Sequence, residues 1–421
     1  MRGKVAGMED FKCNSQKIKT KKGYCYINRF GLFFTDENTP FDFEKCAQKA
    51  PLEQIKPSDN PNEKLAKVTF FITSDCNLRC IYCYANSGVS HHVLSLENAK
   101  IFIDSIAKKV DKLILDFHGG GEPFLEFDLI KSIYEYAEKT GKLYRSIAIT
   151  NGYFAKGRRK EIEEWIVTHI NNLAISCDGT PEIQNRNRPT AAGTPSAKEV
   201  EETIRYIAHS NMNLTVRSTI TRESTPYLVD IMKYFHSLGV KNIIFSPYYN
   251  YGRTTDTQLL IDPKEYAQNF MKAFEYAVKN DLNIRTTSFR VPGESYCGAT
   301  SAFNMCLTPD GYISTCYEVV KNSNNPIEEP FLIGKIEDGK LVFNKKNLEM
   351  LRNVKNKKEC TTCKYRMLCR GGCPIKIARN SEDSSKNLCI LTKTMVPQIL
   401  DYIQEHPESS KNILNNIDLY Y

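Results

Sequence analysis

The residues of this chain best suited to chemistry are its cysteines. Three of them fall within eight residues, Cys76-x3-Cys80-x2-Cys83, with Tyr82 directly before the last. Three thiolates on one short loop can hold three irons of a four-iron cubane and leave the fourth iron open to a substrate. Part of a zinc site, or chance, is the alternative, and neither explains the spacing beside an aromatic residue. A second array follows: Cys297, Cys306, Gly311-x4-Cys316, then Cys360-x2-Cys363-x5-Cys369-x3-Cys373 and, after fifteen residues, Cys389. Eight thiolates suit two zinc sites as well as two iron–sulfur clusters, and spacing alone does not choose.

Polar and glycine-rich segments lie between the two arrays. His118-Gly119-Gly120-Gly121-Glu122-Pro123 has a glycine run that lets backbone approach a ligand closely. Thr150-Asn151-Gly152 reads as a turn. Ser176-Cys177-Asp178-Gly179 is followed by Arg188, twelve residues beyond Ser176. Arg217 suits either a carboxylate contact or an internal ion pair.

Short apolar runs at 67–73, 112–117, 143–149, 173–177, 213–220 and 242–246 must position these segments. Segments of helical spacing lie between them, at 96–110, 128–139, 197–210 and 227–238. This alternation predicts six βα units with right-handed crossovers, an α/β fold whose parallel sheet curls into a partial (β/α)6 barrel. A flat doubly wound sheet is the alternative. Every polar motif then falls at the carboxyl end of a strand, where barrel active sites are built.

The 421 residues divide into a small region 1–65, the barrel 66–290, a cysteine-rich domain 291–400 and a tail 401–421. Residues 24–34 read as a hairpin, and 51–64 as a Pro- and Lys-rich linker. Beyond Pro292 the chain is rich in Cys, Gly and Asn and needs inorganic staples to hold together. Fifteen cysteines, an odd number unevenly placed, exclude a simple disulfide scaffold. No apolar segment approaches the length of a membrane span, and the first thirty residues hold no signal-like core. The expected location is therefore the cytoplasm. The net charge of +8 is spread out, and the tract Lys17, Lys19, Lys21, Lys22 is too short to argue for nucleic acid.

The C-x3-C-x-aromatic-C motif resembles the hallmark of the radical S-adenosylmethionine (SAM) superfamily. The resemblance implies that Cys76, Cys80 and Cys83 hold a [4Fe-4S] cluster. Its open iron would bind SAM, whose reductive cleavage yields a 5′-deoxyadenosyl radical that abstracts hydrogen from the substrate. Gly120 to Pro123 matches the GGEP-like segment that binds the amino group of SAM, and Tyr82, Gly120, Gly121, Glu122, Ser176, Arg188 and Arg217 become the expected SAM contacts. The second array resembles the SPASM extension of peptide- and protein-modifying members. That implies auxiliary cluster I on Cys297, Cys306, Cys316 and Cys373, and auxiliary cluster II on Cys360, Cys363, Cys369 and Cys389. Three [4Fe-4S] clusters and SAM are the implied cofactors, and Cys13, Cys25, Cys46 and Cys177 are left over.

The resemblance implies an oxidoreductase acting on a ribosomally synthesised precursor peptide, with a flavodoxin or ferredoxin as low-potential electron donor. A cysteine thioether cross-link is the expected product. Formylglycine formation on a sulfatase, C–C cross-linking or epimerisation of a peptide, and a non-catalytic zinc scaffold are the alternatives. The sulfatase-maturing family has an aspartate base directly after the cysteine of G-x4-C. Here Tyr317 stands there, followed by Glu318, the candidate base. In related maturases an N-terminal domain docks the peptide as an added strand, so 1–65 is expected to be a reduced peptide-binding element.

Overall fold

The computed structural model describes residues 16–28, 31–36, 64–290, 297–301, 304–321, 324–353, 358–379 and 382–414. Cys13, Cys46 and nearly all of the expected linker 51–64 lie outside these residues. The first described element is an antiparallel sheet of three strands, β1 (Gln16–Thr20), β2 (Gly23–Asn28) and β3 (Gly31–Asp36). The expected hairpin is thus β2–β3, with one strand more. Strand β1 was hidden in the lysine tract, where Lys17 and Lys19 alternate outward while Ile18 and Thr20 are buried.

The barrel strands are β4 (Leu65–Phe71), β5 (Lys112–His118), β6 (Leu143–Thr150), β7 (Asn172–Ser176), β8 (Asn213–Ile220), β9 (Asn242–Pro247) and β10 (Asn283–Thr286). Each pairs in parallel with the next. Their crossovers include helices α1 (Leu96–Ala107), α2 (Phe127–Lys139), α3 (Arg159–His169), α4 (Ala197–Ala208), α5 (Leu228–Ser237) and α6 (Pro263–Lys279). Local signals set these helices. Asp262 caps α6 by accepting from Lys264 N at 2.9 Å and Glu265 N at 2.8 Å, with Pro263 in the first turn. The six expected strands are present and β10 is a seventh. Its four residues, Asn-Ile-Arg-Thr, are too few and too polar for periodicity to reveal.

The sheet does not stop at β4. Strand β11 (Asn304–Leu307) pairs with β4 in parallel, and β12 (Tyr312–Ser314), β13 (Leu332–Glu337) and β14 (Lys340–Phe343) continue it antiparallel. The sheet order is β10-β9-β8-β7-β6-β5-β4-β11-β12-β13-β14. The texture change near Pro292 is therefore not a break in the sheet. The long helix α7 (Glu382–Glu405) returns to pack on α6, with Phe274 and Tyr402 ring centroids 5.1 Å apart. Among the described residues no helix is long and apolar enough to cross a membrane.

Side-chain alternation divides the strands into a helix-facing layer and an interior layer. Phe70 meets Phe102 of α1 edge-on at 5.8 Å and Phe117 at 6.1 Å, all fully buried. The opposite face of β4 and β5 turns Lys67, Thr69 and Asp116 into the barrel. There Asp116 Oδ2 accepts from Lys67 Nζ and Thr69 Oγ1, both at 3.3 Å, and from the Tyr317 hydroxyl at 2.9 Å. Lys67 Nζ also donates to the Tyr317 oxygen. Tyr317 comes from the cysteine-rich region, so one buried ion pair clasps that region to the barrel.

Removing one partner of such a pair strands the other charge, at a cost of about 3–5 kcal/mol. Asp116→Ala should lose stability on that scale in urea unfolding, and Lys67→Met with Asp116→Leu should lose clearly less. Equal losses in both variants would show that the ion pair is not the cause.

Candidate active site

The loop after β4 carries Cys76, Cys80 and Cys83 to the carboxyl end of the barrel. Burial pushes the Cys76 thiol up to about 12, with Glu122, Cys80 and Cys83 nearby adding to the shift. Burial likewise raises Cys80 to about 11, against the pull of Arg188. The three sulfurs thus share one weakly solvated mouth. Each has hydrogen-bond donors at hand. Leu78 N lies 3.5 Å and Asn151 Nδ2 3.7 Å from Cys76 Sγ, Arg188 NH1 lies 3.7 Å from Cys80 Sγ, and Ser87 N lies 3.4 Å from Cys83 Sγ. Such donors stabilise sulfur-borne negative charge, which suits thiolates ligating iron. Among the described residues no three His, Cys, Asp or Glu side chains converge as a single metal ion requires. Thiolates that each take a different iron of one cubane need not meet at one point.

The glycine run seats against this loop. Gly121 N donates to Thr73 O at 2.9 Å, and Glu122 N donates to Asp75 O at 2.8 Å. A Cβ on Gly121 would come within 1.7 Å of Asp75 O, so only glycine permits the contact. The Glu122 side chain turns inward. Its carboxylate accepts from Thr150 Oγ1 at 2.6 Å, Asn151 N at 2.7 Å and Phe124 N at 3.2 Å. Burial nevertheless raises it to about 7, since these bonds only partly offset desolvation. Glu122 therefore ties the Thr150-Asn151-Gly152 turn to the glycine run, and Asn151 passes the link on to Asn77 Oδ1 at 2.8 Å.

Tyr82 and Arg188 meet at a residue the sequence reading passed over. Asp178, fully buried, accepts from Arg188 Nε at 2.9 Å, Asn187 Nδ2 at 3.0 Å, Thr219 N at 3.0 Å and the Tyr82 hydroxyl. Arg188 also lies over the Tyr82 ring, 5.3 Å from its centroid. Asp178 thus holds Arg188 beside Cys80. Its signal was an acid two residues beyond Ser176 in a strand-end motif. Ser176, the last residue of β7, pairs in register with Arg217 of β8. Arg217 lies within electrostatic reach of His118 and Tyr84, inside the barrel.

The second array divides into groups. Cys316 is raised well above its ordinary value, first by burial and then by Cys373, Glu318 and Cys297. Cys360 is raised by burial and then by Cys369, Cys363 and Cys389. Cys297, Cys316 and Cys373 thus lie together, as do Cys360, Cys363, Cys369 and Cys389. Cys306 keeps other company. It sits on β11 opposite Thr69, and the groups acting on it are Lys67, Asp116 and Thr69. Its strand pairing sets it beside the ionic clasp on one side and opposite Ser314 of β12, two residues before Cys316, on the other. The leftover thiols Cys25 and Cys177 are buried.

Glu318 and Tyr317 exchange their expected prominence. Glu318 is held by Lys376 Nζ at 3.3 Å and Arg379 NH1 at 3.2 Å, among residues following Cys373. Tyr317 reaches the barrel interior, its ring stacked on His118 at 4.8 Å and 13°. The two residues sit in a turn closed by Val319 N donating to Cys316 O at 3.1 Å, which parts their side chains and sends only Tyr317 to the interior. Burial lowers His118 to about 4, leaving it neutral there.

Comparison with known proteins follows this geometry. Residues 70–235 match the Radical SAM superfamily, so this segment is a radical SAM domain. An uncharacterised protein of Methanocaldococcus jannaschii is 32% identical over 178 residues, 41% of this chain and 59% of that protein. The chain thus spans under two thirds of that relative. A cysteine-type anaerobic sulfatase-maturating enzyme of Clostridium perfringens is 22% identical over 82% of this chain and 97% of its own. The sporulation killing factor maturation protein SkfB of Bacillus subtilis is 25% identical over 59% of each. The α/β partial-barrel fold with its cysteine-rich extension is shared by native anSMEcpe with bound AdoMet (TM-score 0.62, 18% identity, 81% of this chain and 99% of that one). Streptococcus suis SuiB bound to precursor peptide SuiA shares it too (TM-score 0.57, 13% identity, 87% and 96%).

Two outcomes follow from the site. Gly121→Ala should separate the glycine run from the cysteine loop, lowering iron content and costing about 1–3 kcal/mol of stability in urea unfolding. Wild-type iron content and stability in that variant would refute the close contact. His118 gains a proton near pH 6.5 when unfolded but only near 4 when folded. Stability should therefore be lost as pH falls through that window, and His118→Gln should lack this component. Melting curves at pH 7 and pH 5 check it, and identical pH dependence in both proteins would contradict it.

Proposed function

We propose that this chain is a radical SAM maturase of the SPASM kind, which oxidises a ribosomally synthesised precursor peptide and forms a cysteine thioether. The observation that carries the reading is the mouth of the barrel, where three cysteines with their own N–H donors face a glycine run and a buried arginine. Cys76, Cys80 and Cys83 would hold the [4Fe-4S] cluster. When bound, that cluster with SAM supplies reductive cleavage of the sulfonium and hydrogen-atom abstraction from the substrate. Everything else falls to the chain's own residues. Gly120 and Gly121 bring backbone close to the ligand, and Glu122 braces the glycine run, its carboxylate and its backbone both engaged internally. Tyr82 braces Asp178, which orients Arg188. Ser176, Arg188 and Arg217 are assigned to the ribose and carboxylate of SAM.

Auxiliary cluster I is assigned to Cys297, Cys306, Cys316 and Cys373, and auxiliary cluster II to Cys360, Cys363, Cys369 and Cys389. The electron donor is assigned to the flavodoxin or ferredoxin class. The domain division 1–65, 66–290, 291–400 and 401–421 is part of the same reading, as is a cytoplasmic location. The reach of the sulfatase-maturating relative, over 82% of this chain, favours formylglycine formation as a second reading. Against it, the position after Cys316 is Tyr317, whose hydroxyl is bound to Lys67 and Asp116, while Glu318 is doubly ion-paired.

Anaerobically reconstituted protein should form 5′-deoxyadenosine from SAM and dithionite, and Cys80→Ala should abolish it. Retained cleavage in that variant would sink the assignment. Mass spectrometry of the cysteine peptide encoded by the nearest short reading frame separates the two products. A thioether keeps the sulfur and lacks two hydrogens, whereas formylglycine made from cysteine has lost its sulfur.

A further inference from the structure

The cysteine array at 360–389 has little structure of its own to hold it. Between Cys360 and α7 the helices are single turns, Lys358–Thr361, Arg366–Cys369 and Pro374–Ala378. Turns this short neither nucleate nor persist alone. The geometry that a cluster needs must come from elsewhere.

Part of it comes from the far end of the chain. The side-chain amide of Gln16, the first residue of β1, spans the turn between Cys363 and Cys369. Its Nε2 donates to Cys363 O at 3.0 Å, and its Oε1 accepts from Met367 N at 2.9 Å. The partners stand 347 and 351 residues away in sequence. Strand β1 is itself anchored. Ile18 is fully buried, Lys21 N donates to Asp401 Oδ1 of α7 at 2.8 Å, and Gln404 Nε2 of α7 donates to Thr35 O of β3 at 3.3 Å. On the other side Met367 and Leu368 are buried in the main core. A carboxamide is the side chain that donates and accepts at once in this way. Glutamate could only accept, and an aliphatic residue could do neither.

We propose that Gln16 is a positioning residue for the second auxiliary cluster, and that the N-terminal sheet braces the Cys363–Cys369 loop in ligating geometry. This rests on the reading that Cys360, Cys363, Cys369 and Cys389 hold an iron–sulfur cluster. The brace acts on the backbone carbonyl of one ligand and on the amide two residues before another. It limits how far the loop can open and lose iron.

The test is iron release from the reconstituted full-length chain to a ferrous chelator, followed optically. Wild type should hold about twelve irons, four for each of three clusters. In Gln16→Ala about four of them should leave at least about tenfold faster, in line with the loss of two hydrogen bonds. The remaining irons should leave at the wild-type rate, and the melting temperature of the barrel should not move. Gln16→Glu should release the same four irons faster than wild type but slower than Gln16→Ala, because it still accepts from Met367 N but cannot donate to Cys363 O. Unchanged release in Gln16→Ala, or faster release of all irons alike, would overturn the brace. A wild-type protein holding only about four irons would instead overturn the three-cluster reading on which it rests.

Discussion

An open parallel barrel has two strand edges, β10 and β4, and the buried one at β4 decides how the rest of the chain is arranged. Its N–H and C=O groups cannot be left bare in a buried position, so something must pair with them. Strand β11 does so in parallel register, Asn304 to Leu307 against Lys67 to Phe70. Much of the C-terminal third follows from this one pairing. The antiparallel run β12–β14 grows outward from it, and Cys316 and Tyr317 come soon after β12, near the barrel interior. The ion pair of Lys67 and Asp116 then takes the Tyr317 hydroxyl and locks the arrangement.

Around the mouth the chain handles charge by the same means throughout. A buried carboxylate is surrounded by fixed donors, and the groups it holds are the ones that face the cysteines. Asp178 presents Arg188 to Cys80, and Glu122 ties two loops together beside Cys76. Both acids serve as anchors, each accepting several hydrogen bonds. Burial pushes the uncoordinated thiols up and keeps them protonated, so binding metal there entails releasing protons.

Much of the site was legible because its residues are rare types at short, fixed spacings. The cysteine loop, the glycine run and Ser176 stand at strand ends, which short apolar runs located to within a few residues, and Arg188 follows after one short helix. The misses share a physical cause. The neighbours of Cys306 were hidden in the sequence, because pairing across two strands sets it opposite Thr69 and Ser314. Glu318 was singled out for its place just after the cysteine of G-x4-C, and the turn there gives the interior to Tyr317 and leaves Glu318 to Lys376 and Arg379. Strand β10 has one apolar residue in four, Ile284, and β1 was read as a charged tract because Lys17 and Lys19 face solvent.

By itself the sequence determined the chemistry available: which thiols exist, how tightly three of them must cluster, and that apolar runs would build a parallel barrel beneath them. Those are local properties, carried by residue type, spacing and period. What only the tertiary structure decided was company. Cys306 meets Lys67 and Asp116, Asp178 orients Arg188, and Gln16 spans a loop some 350 residues away. These contacts depend on strand register and on which face each side chain takes. A shift of one residue reverses that face, and no local spacing records it.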